Sequence, residues 1–243
     1  MTQDDRTNTM QDHTVTAFDD DLNALRAMIA EMGGLTETAI DHAIKALTTR
    51  DLALARQVVA GDERVDELDA QIEQLVVQTI ALRAPMAHDL REIIAVLKIS
   101  GMVERMADYA KNIAKRVEVV TASGSRMEPL SLLPAMAQIA REMVKSALDA
   151  FAARDARLAL AVINRDRAVD DFYNSIFRTA VTFMMENPKT ISESAHILFI
   201  AKNLERIGDH ATNMAEMIHY VVTGTKPPER EKGGDVVDIG PED

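Results

Sequence analysis

Two copies of one motif occur in this 243-residue chain, the first starting at Glu104 and the second at Glu205. Both copies read Glu-Arg-x-x-Asp-x-Ala-x-Asn and lie in segments with helical periodicity. Carboxylates four residues apart share a helix face, and their repulsion weakens a helix by roughly 0.2–0.5 kcal/mol per pair. We therefore expect a compensating cation beside each motif, which is a lysine, an arginine or a bound metal ion.

A helical wheel at about 100° per residue indicates where the motif side chains point. The acids and the asparagine of each copy share one face, and the apolar residues occupy the opposite face. This pattern predicts that the motifs lie on the outer surface of the protein. The residues concerned are Glu104, Asp108 and Asn112 in the first copy and Glu205, Asp209 and Asn213 in the second.

Each motif has a possible acidic partner on the preceding predicted helix. Asp62 and Asp66 precede the first motif, and Asp166 and Asp170 precede the second at matching positions. If the helices are neighbours, four carboxylates converge in each half of the chain. Such oxygen ligands suit magnesium, calcium, manganese or oxidised iron, whereas zinc is less favoured.

Two alternatives to metal binding remain open at this stage. Lys115 shares the face of Glu104, and Lys202 shares the face of Glu205, so ion pairs could balance the acids. Alternatively, the acids are simply solvated on an outer helical face, as most surface carboxylates are. The repetition of residue identities in both halves favours a bound metal over a solvated face.

The rest of the chain predicts an all-α fold made of two tandem, pseudo-symmetric three-helix bundles. Apolar residues recur at helical spacing, and matching segments appear at an offset near 104, such as Arg50-Asp51 and Arg154-Asp155. Gly33-Gly34 interrupts the first predicted helix, which starts near Asp19, and indicates a close helix crossing or a kink. The predicted units are a disordered tail at 1–17, a first bundle at 18–120, a linker at 121–129, a second bundle at 130–223 and a disordered acidic tail at 224–243.

Composition excludes several classes of function. The net charge is −12 and no basic stripe is present, so a nucleic-acid partner is not expected. Cysteine is absent, which excludes disulfides and thiolate sites. Neither a signal peptide nor an 18-residue apolar run is found, so we expect a soluble, unexported protein. Residues 229–243 hold six acids and two bases, and this tail is expected to serve mainly solvation.

Two weaker patterns point to another class of protein, a metal-dependent oxidase or metal-storage bundle. Glu193-x-x-His196 and Glu216-x-x-His219 have the Glu-x-x-His spacing of di-iron bundle sites. Both patterns lie on one predicted helix, whereas a di-iron site needs them on facing helices. No triad or P-loop pattern is present, so the sequence favours a protein that is not an enzyme.

Three segments, 85–91, 103–116 and 204–216, resemble the PhoU family of bacterial phosphate-signalling regulators. The resemblance extends from about residue 20 to 222. The first motif departs from the family pattern at Ala107, where glycine is common, whereas the second motif has Gly208. The extra methyl group lies away from the acidic face.

This resemblance implies a fold of two tandem three-helix bundles and a cytoplasmic protein that reaches the inner membrane only through partners. It implies a negative regulator of phosphate uptake, acting between the ATPase subunit of the phosphate ABC transporter and a sensor histidine kinase. It also implies that the acidic motifs hold an iron, zinc, magnesium or manganese ion. A homodimer is expected because apolar stripes on long helices would otherwise face solvent.

Overall fold

The computed structural model describes residues 3–122 and 131–228, with side chains described from residue 17 onward. Throughout these ranges the regular structure is helical, as the sequence predicted. The elements are α1 (Gln3–Thr49), α2 (Leu52–Arg83), α3 (His88–Ala122), α4 (Leu133–Ala153), α5 (Ala156–Glu186), a short 3-10 helix (Pro188–Thr190) and α6 (Ile191–Thr223).

The predicted boundaries differ from the structure mainly at the amino terminus. Helix α1 begins at Gln3, whereas the sequence analysis predicted a disordered tail to residue 17 and a helix start near Asp19. No glycine or proline occurs before Gly33, so nothing in the backbone chemistry stops the helix from extending. The predicted linker at 121–129 overlaps the end of α3, and residues 123–130 lie outside the described part. The predicted acidic tail is described only to Pro228.

Equivalent positions in the two halves adopt the same local structure. Asp51 caps α2 by accepting backbone N–H groups at 3.0 Å, and Asp155 caps α5 in the same way at 2.9 and 3.0 Å. The preceding arginines, Arg50 and Arg154, both have positive φ angles, of 60° and 52°. The duplication detected in sequence therefore extends to the conformation of the helix–helix corners.

The Gly33-Gly34 pair marks a close helix crossing rather than an end of α1, which continues through both residues. A Cβ atom added at Gly33 would lie 2.4 Å from Leu148 Cδ1 on α4. A Cβ atom at Gly34 would have no neighbour within 4 Å. Only Gly33 is therefore needed for the approach of α1 to α4.

The two bundles share one continuous apolar core. In each bundle the three helices pack side by side, and the bundles meet along α1 against α4 and α3 against α6. Buried Ile99, Met106 and Ile113 on α3, together with Ile200, Ile207 and Met214 on α6, belong to the same cluster of contacts. Helices α3 and α6 thus carry apolar residues toward their own bundle and toward each other.

None of the helices, as far as they are described, combines the length and the apolar character required to cross a bilayer.

Candidate functional site

The first acidic set is assembled by α2 and α3, which pack against each other. Asp62 is buried, Glu104 and Asp108 are half-buried, and Asp66 is exposed. Lys111, on α3, forms ion pairs with Asp62 and with Asp108, its Nζ lying 2.5 Å from Asp108 Oδ1. The ammonium group therefore lies between carboxylates of two helices, where a bound cation was expected.

The pKa values show that these four acids are close enough to repel one another. Burial, followed by the charge of Asp108, raises the pKa of Glu104 to about 7. The pKa of Asp66 is also raised, by burial and then by Asp62. Burial lowers the pKa of Lys111, but its hydrogen bonds to Asp108 and Asp62 outweigh that effect and raise it. The lysine thus pairs with Asp62 and Asp108, whereas the cation nearest to Glu104 is Arg105, whose Nε lies 3.8 Å from Glu104 Oε2.

The second acidic set, built from α5 and α6, lies deeper in the protein. Asp166, Asp170 and Glu205 have exposed fractions of 6%, 7% and 5%, and Asp209 is half-buried. Lys202 Nζ donates to Glu205 Oε1 at 3.0 Å. The other oxygen, Glu205 Oε2, is buried and accepts no hydrogen bond in the described part of the chain. Burial, and next the charge of Asp209, raises the pKa of Glu205 to about 7.

Each set contains one lysine, but the two lysines occupy different motif positions. Lys111 corresponds to Thr212 in the second motif, and Lys202 corresponds to Gly101 in the first. Thr212 Oγ1 donates to Asp166 Oδ1 at 3.1 Å. The second set thus has a neutral hydroxyl at the motif position where the first set has the Lys111 ammonium group. The acidic sets are therefore related by sequence yet differ in which carboxylate is neutralised.

Acids of paired helices lie near one another, but the described residues contain no group of three or more placed to share one cation, and the predicted outer exposure is wrong for four of the acids. Asp62, Asp166, Asp170 and Glu205 are buried. The helical wheel identified the main apolar stripe, whereas the acids lie in the grooves where α2 meets α3 and α5 meets α6. Asn112 is half-buried and Asn213 is exposed, at the edges of these grooves.

Lys111 is the site residue that the sequence analysis missed. Lys115 was the predicted partner of Glu104, but it is exposed. Glu104 pairs with Arg105 instead, and Lys111 pairs with Asp62 and Asp108. The spacing of three residues between Asp108 and Lys111 was an available signal, since residues at that spacing are neighbours on a helix. The other predicted lysine, Lys202, does pair with Glu205.

The two sets differ in how well they fit a metal ion. Within the described ranges no three histidine or acidic side chains are arranged to hold one as they stand. In the first set, Lys111 occupies the place of a cation. In the second set, the unsatisfied Glu205 Oε2 and the neighbouring acids are a donor set that suits a hard cation. The second set therefore fits a metal better than the first.

The Glu-x-x-His patterns do not come together as a di-iron site. His196 Nδ1 lies 3.1 Å from an Arg116 guanidinium nitrogen, and His219 Nδ1 lies 3.1 Å from the carbonyl oxygen of Thr225. His196 therefore has a structural partner on α3, and His219 has one just beyond the end of α6.

These features define a class of protein: a duplicated molecule whose described residues form six α-helices, with a matched pair of acidic grooves. The model of the PhoU domain matches residues 29–117 and again residues 133–218. The chain therefore belongs to the PhoU family, in agreement with the resemblance stated from its motifs.

Relatives match nearly the whole chain. The phosphate-specific transport system accessory protein PhoU homolog of Zymomonas mobilis is 52% identical, over 93% of this chain and 94% of its own. The homolog of the same name from Caulobacter vibrioides is 46% identical, over 88% of this chain and 94% of its own.

Solved structures show the same fold. The crystal structure of PhoU from Pseudomonas aeruginosa superposes with a TM-score of 0.83 at 38% identity, covering 86% of this chain and all of that one. The phosphate transport system regulatory protein PhoU from Streptococcus pneumoniae gives a TM-score of 0.80 at 25% identity, covering 87% of this chain.

Proposed function

We propose that this protein is a non-enzymatic negative regulator of phosphate uptake and phosphate-starvation signalling. It acts as a cytoplasmic adaptor between the ATPase subunit of the phosphate ABC transporter and a sensor histidine kinase. The observation that carries the proposal is the match of both halves to the PhoU domain, together with relatives named as phosphate transport accessory proteins.

The structure supports an adaptor because its helices pack around one continuous apolar core, which favours a stiff surface. A regulator can shift a partner between two states only through a difference in its affinity for those states. A rigid surface made of long helices presents the same contacts each time, and it can therefore select one state of the kinase or of the ATPase. Docking of the protein to these partners at the inner membrane requires no membrane-spanning segment.

The genetic test is deletion of the gene in the native bacterium. In phosphate-rich medium, deletion should raise transcription of the phosphate-uptake genes, and a plasmid copy should restore repression. The control is a second deletion strain that also lacks the sensor kinase, in which the rise should disappear. Unchanged transcription in the single deletion would overturn the proposal.

We also propose that the cation site of this protein resides in the second acidic set. Glu205, Asp209, Asp166 and Asp170 would hold an iron, manganese, magnesium or zinc ion, whose charge would neutralise the groove. In the first set, which also contains Glu104 and Asp66, Lys111 already pairs with Asp62 and Asp108. Titration of chelator-treated protein with Mn²⁺, followed by electron paramagnetic resonance, tests this assignment. Glu205→Gln should weaken binding and Glu104→Gln should leave it unchanged, whereas the opposite result would contradict the assignment.

An oxidase or metal-storage bundle was the alternative function. That function requires metal ligands that point inward from facing helices. Instead, His196 contacts Arg116 and His219 contacts Thr225. Loading with Fe²⁺ without oxygen, followed by exposure to air, distinguishes the two functions. Catalytic iron oxidation would favour the oxidase.

A further inference from the structure

A line of cations follows the seam between α3 and α6. On α3 its members are seven, seven and eleven residues apart, and at about 100° per residue they fall within about 40° of one another. The acids of α3 lie at least about 60° outside this arc. We call this line the α3–α6 stripe; it consists of Arg91, Lys98, Arg105 and Arg116 on α3 and Arg206 on α6.

Contacts between the two helices show that the stripe is continuous. Near each end and near the middle, an arginine of one helix lies over an aromatic ring of the other, and the order of these pairs shows that the helices run antiparallel. From Arg91 to Arg116 the stripe is about 38 Å long. The pairs are Arg91 with Tyr220, Arg206 with Tyr109 and Arg116 with Phe199, with the arginine Cζ 5.5, 5.8 and 4.0 Å from the ring centroid.

The stripe is accessible and mostly unneutralised. Its α3 members are exposed except Arg116, which is half-buried, as is Arg206. Among the ion pairs in the described part of the chain, one involves the stripe, and it joins Arg105 Nε to Glu104 Oε2 at 3.8 Å. The seam therefore presents a local excess of positive charge on a protein whose net charge is −12.

The stripe could not be recognised in the sequence. Its cations come from two helices, and those of α3 are separated by at least seven residues. Only the antiparallel packing of α3 against α6 places Arg206 beside Tyr109 and completes the line.

The surroundings of the stripe limit the width of a partner. One acidic set lies on each side, in the groove between α3 and α2 and in the groove between α6 and α5. A DNA duplex or an anionic membrane is wider than the stripe, so its phosphates would also meet these acids. An α-helix, with a diameter of about 10–12 Å, fits the seam between two helices whose axes are about 8–10 Å apart.

The aromatic rings disfavour a single-stranded nucleic acid as the partner. Such strands bind basic grooves by stacking their bases on aromatic rings. In this seam a guanidinium group already lies over each of the three rings and competes with a base for it. Tyr220 and Phe199 are 39% and 38% exposed, so their rims remain available for contact with aliphatic side chains.

We propose that the α3–α6 stripe binds an acidic amphipathic helix of a partner protein. Acids seven residues apart on that helix repeat the interval of about 10.5 Å at which Arg91, Lys98 and Arg105 follow one another. Aliphatic side chains on the same face contact the rims of Tyr220 and Phe199. Recognition of a helix through a row of anchors on one face is a common mode of peptide binding. This inference does not depend on the proposed signalling function.

A synthetic helix tests the proposal with the full chain. The probe is a capped peptide of four Glu-Ala-Gln-Leu-Ala-Gln-Ala repeats, about 42 Å long, in which the glutamates and leucines share one face. Fluorescence anisotropy at physiological salt should show saturable binding. A peptide of the same composition, with glutamates and leucines on opposite faces, should bind at least about tenfold more weakly. Equal binding of the two peptides, or no binding of either, would overturn the proposal.

Charge reversals test whether the stripe is the binding surface. The stripe variant, Lys98→Glu with Arg105→Glu, should bind the acidic peptide about tenfold more weakly or worse, because like charges then face each other. The control, Lys115→Glu with Lys189→Glu, changes the net charge equally at two exposed lysines outside the stripe and should bind as wild type does. A peptide with lysine in place of glutamate should bind the stripe variant more tightly than wild type, which also shows that the variant is folded. Equal weakening by the two double variants, or no gain with the lysine peptide, would overturn the proposal.

Other occupants of the stripe are tested with the same variants. A dT oligonucleotide represents single-stranded nucleic acid, and phosphatidylglycerol vesicles represent an anionic membrane. Tighter binding of either than of the acidic peptide, lost in the stripe variant, would overturn the proposal. Sedimentation equilibrium tests for a second copy of the chain. A dimer of wild type that dissociates in the stripe variant would make the stripe an interface between copies and would also overturn the proposal.

Discussion

Tyr109 and His210, which occupy the same position in the two motif copies, contact each other edge to face with ring centroids 5.4 Å apart and planes at 79°. Each ring also meets an arginine of the other motif copy. Arg206 Cζ lies 5.8 Å from the Tyr109 centroid, and burial, with a smaller effect from the charge of Arg105, lowers the pKa of His210. Equivalent positions of the two motif copies therefore meet where α3 packs against α6. The motif joins the bundles as well as carrying the acids.

The ring contact should contribute measurably to stability. Edge-to-face aromatic pairs are worth about 0.5–1.5 kcal/mol beyond the area they bury. Replacing Tyr109 and His210 by leucine, singly and together, should give a coupling free energy in that range. Urea denaturation of the four proteins supplies the double-mutant cycle. Additive effects of the two substitutions would show that the rings do not stabilise the junction together.

An ion network centred on the buried Glu92 provides a second connection between the bundles. Glu92 on α3 accepts hydrogen bonds from Arg26 and from Arg154, the latter with Nη1 at 2.5 Å. Burial acts to raise the pKa of Glu92, but the two arginines outweigh it, so the pKa is lowered. We expect Glu92→Gln to lower the free energy of unfolding by about 1.5–3 kcal/mol at neutral pH. Glu142→Gln, in an exposed pair with Arg165, should lower the free energy of unfolding much less, because solvent screens that pair.

The lowered pKa also predicts a pH dependence. Because the folded state binds the Glu92 proton less tightly than the unfolded state, this carboxylate contributes its stability above the unfolded pKa of 4.5 and loses it as the pH falls through the folded pKa. The stability difference between wild type and Glu92→Gln should therefore be constant near pH 7 and should shrink below pH 4.5. Thermal unfolding of both proteins across this range measures it, and a difference that grows on acidification would contradict the assignment.

The adjacent glycines of α1 should respond in opposite ways to substitution by alanine. Gly34→Ala should stabilise the protein by up to about 1 kcal/mol, because alanine is the better helix former and the added methyl group meets nothing. Gly33→Ala should be about 1–3 kcal/mol less stable than Gly34→Ala, because its methyl group displaces Leu148. Chemical denaturation of both variants gives the comparison. Equal stability of the two variants would mean that α1 does not approach α4 at Gly33.

Lys111 should be the residue that makes the first acidic set independent of metal. Lys111→Met leaves Asp62, Asp66, Glu104 and Asp108 without an ammonium group, so the protein should lose stability in chelator. Added Mn²⁺ should then raise the melting temperature of the variant more than that of wild type. Lys115→Met, on the same helix but exposed, is the control and should behave as wild type. If neither chelator nor Mn²⁺ changed the stability of Lys111→Met, Lys111 would not be the cation that compensates these acids.

The sequence by itself determined the duplication, the helical class and the pairing of acidic motifs on neighbouring helices. These properties follow from short-range spacing: the 3.6-residue period, the Asp51 and Asp155 caps and the repeated motif depend only on residues near one another in the chain. Lys202 was found for the same reason, since it lies three residues from Glu205.

Only the tertiary structure decided the depth of the acids and the identity of their partners. A helical wheel assigns each residue to an inner or an outer face of its helix. When a helix contacts several others, some of its residues line the grooves between helices and belong to neither face. Glu205 is buried for that reason, while Glu104 at the equivalent position remains half-buried. The spacing of Lys111 from Asp108 is a local signal, but whether Lys111 or Lys115 reaches Asp62 depends on the rotation of α3 relative to α2, which is set by packing across the whole core.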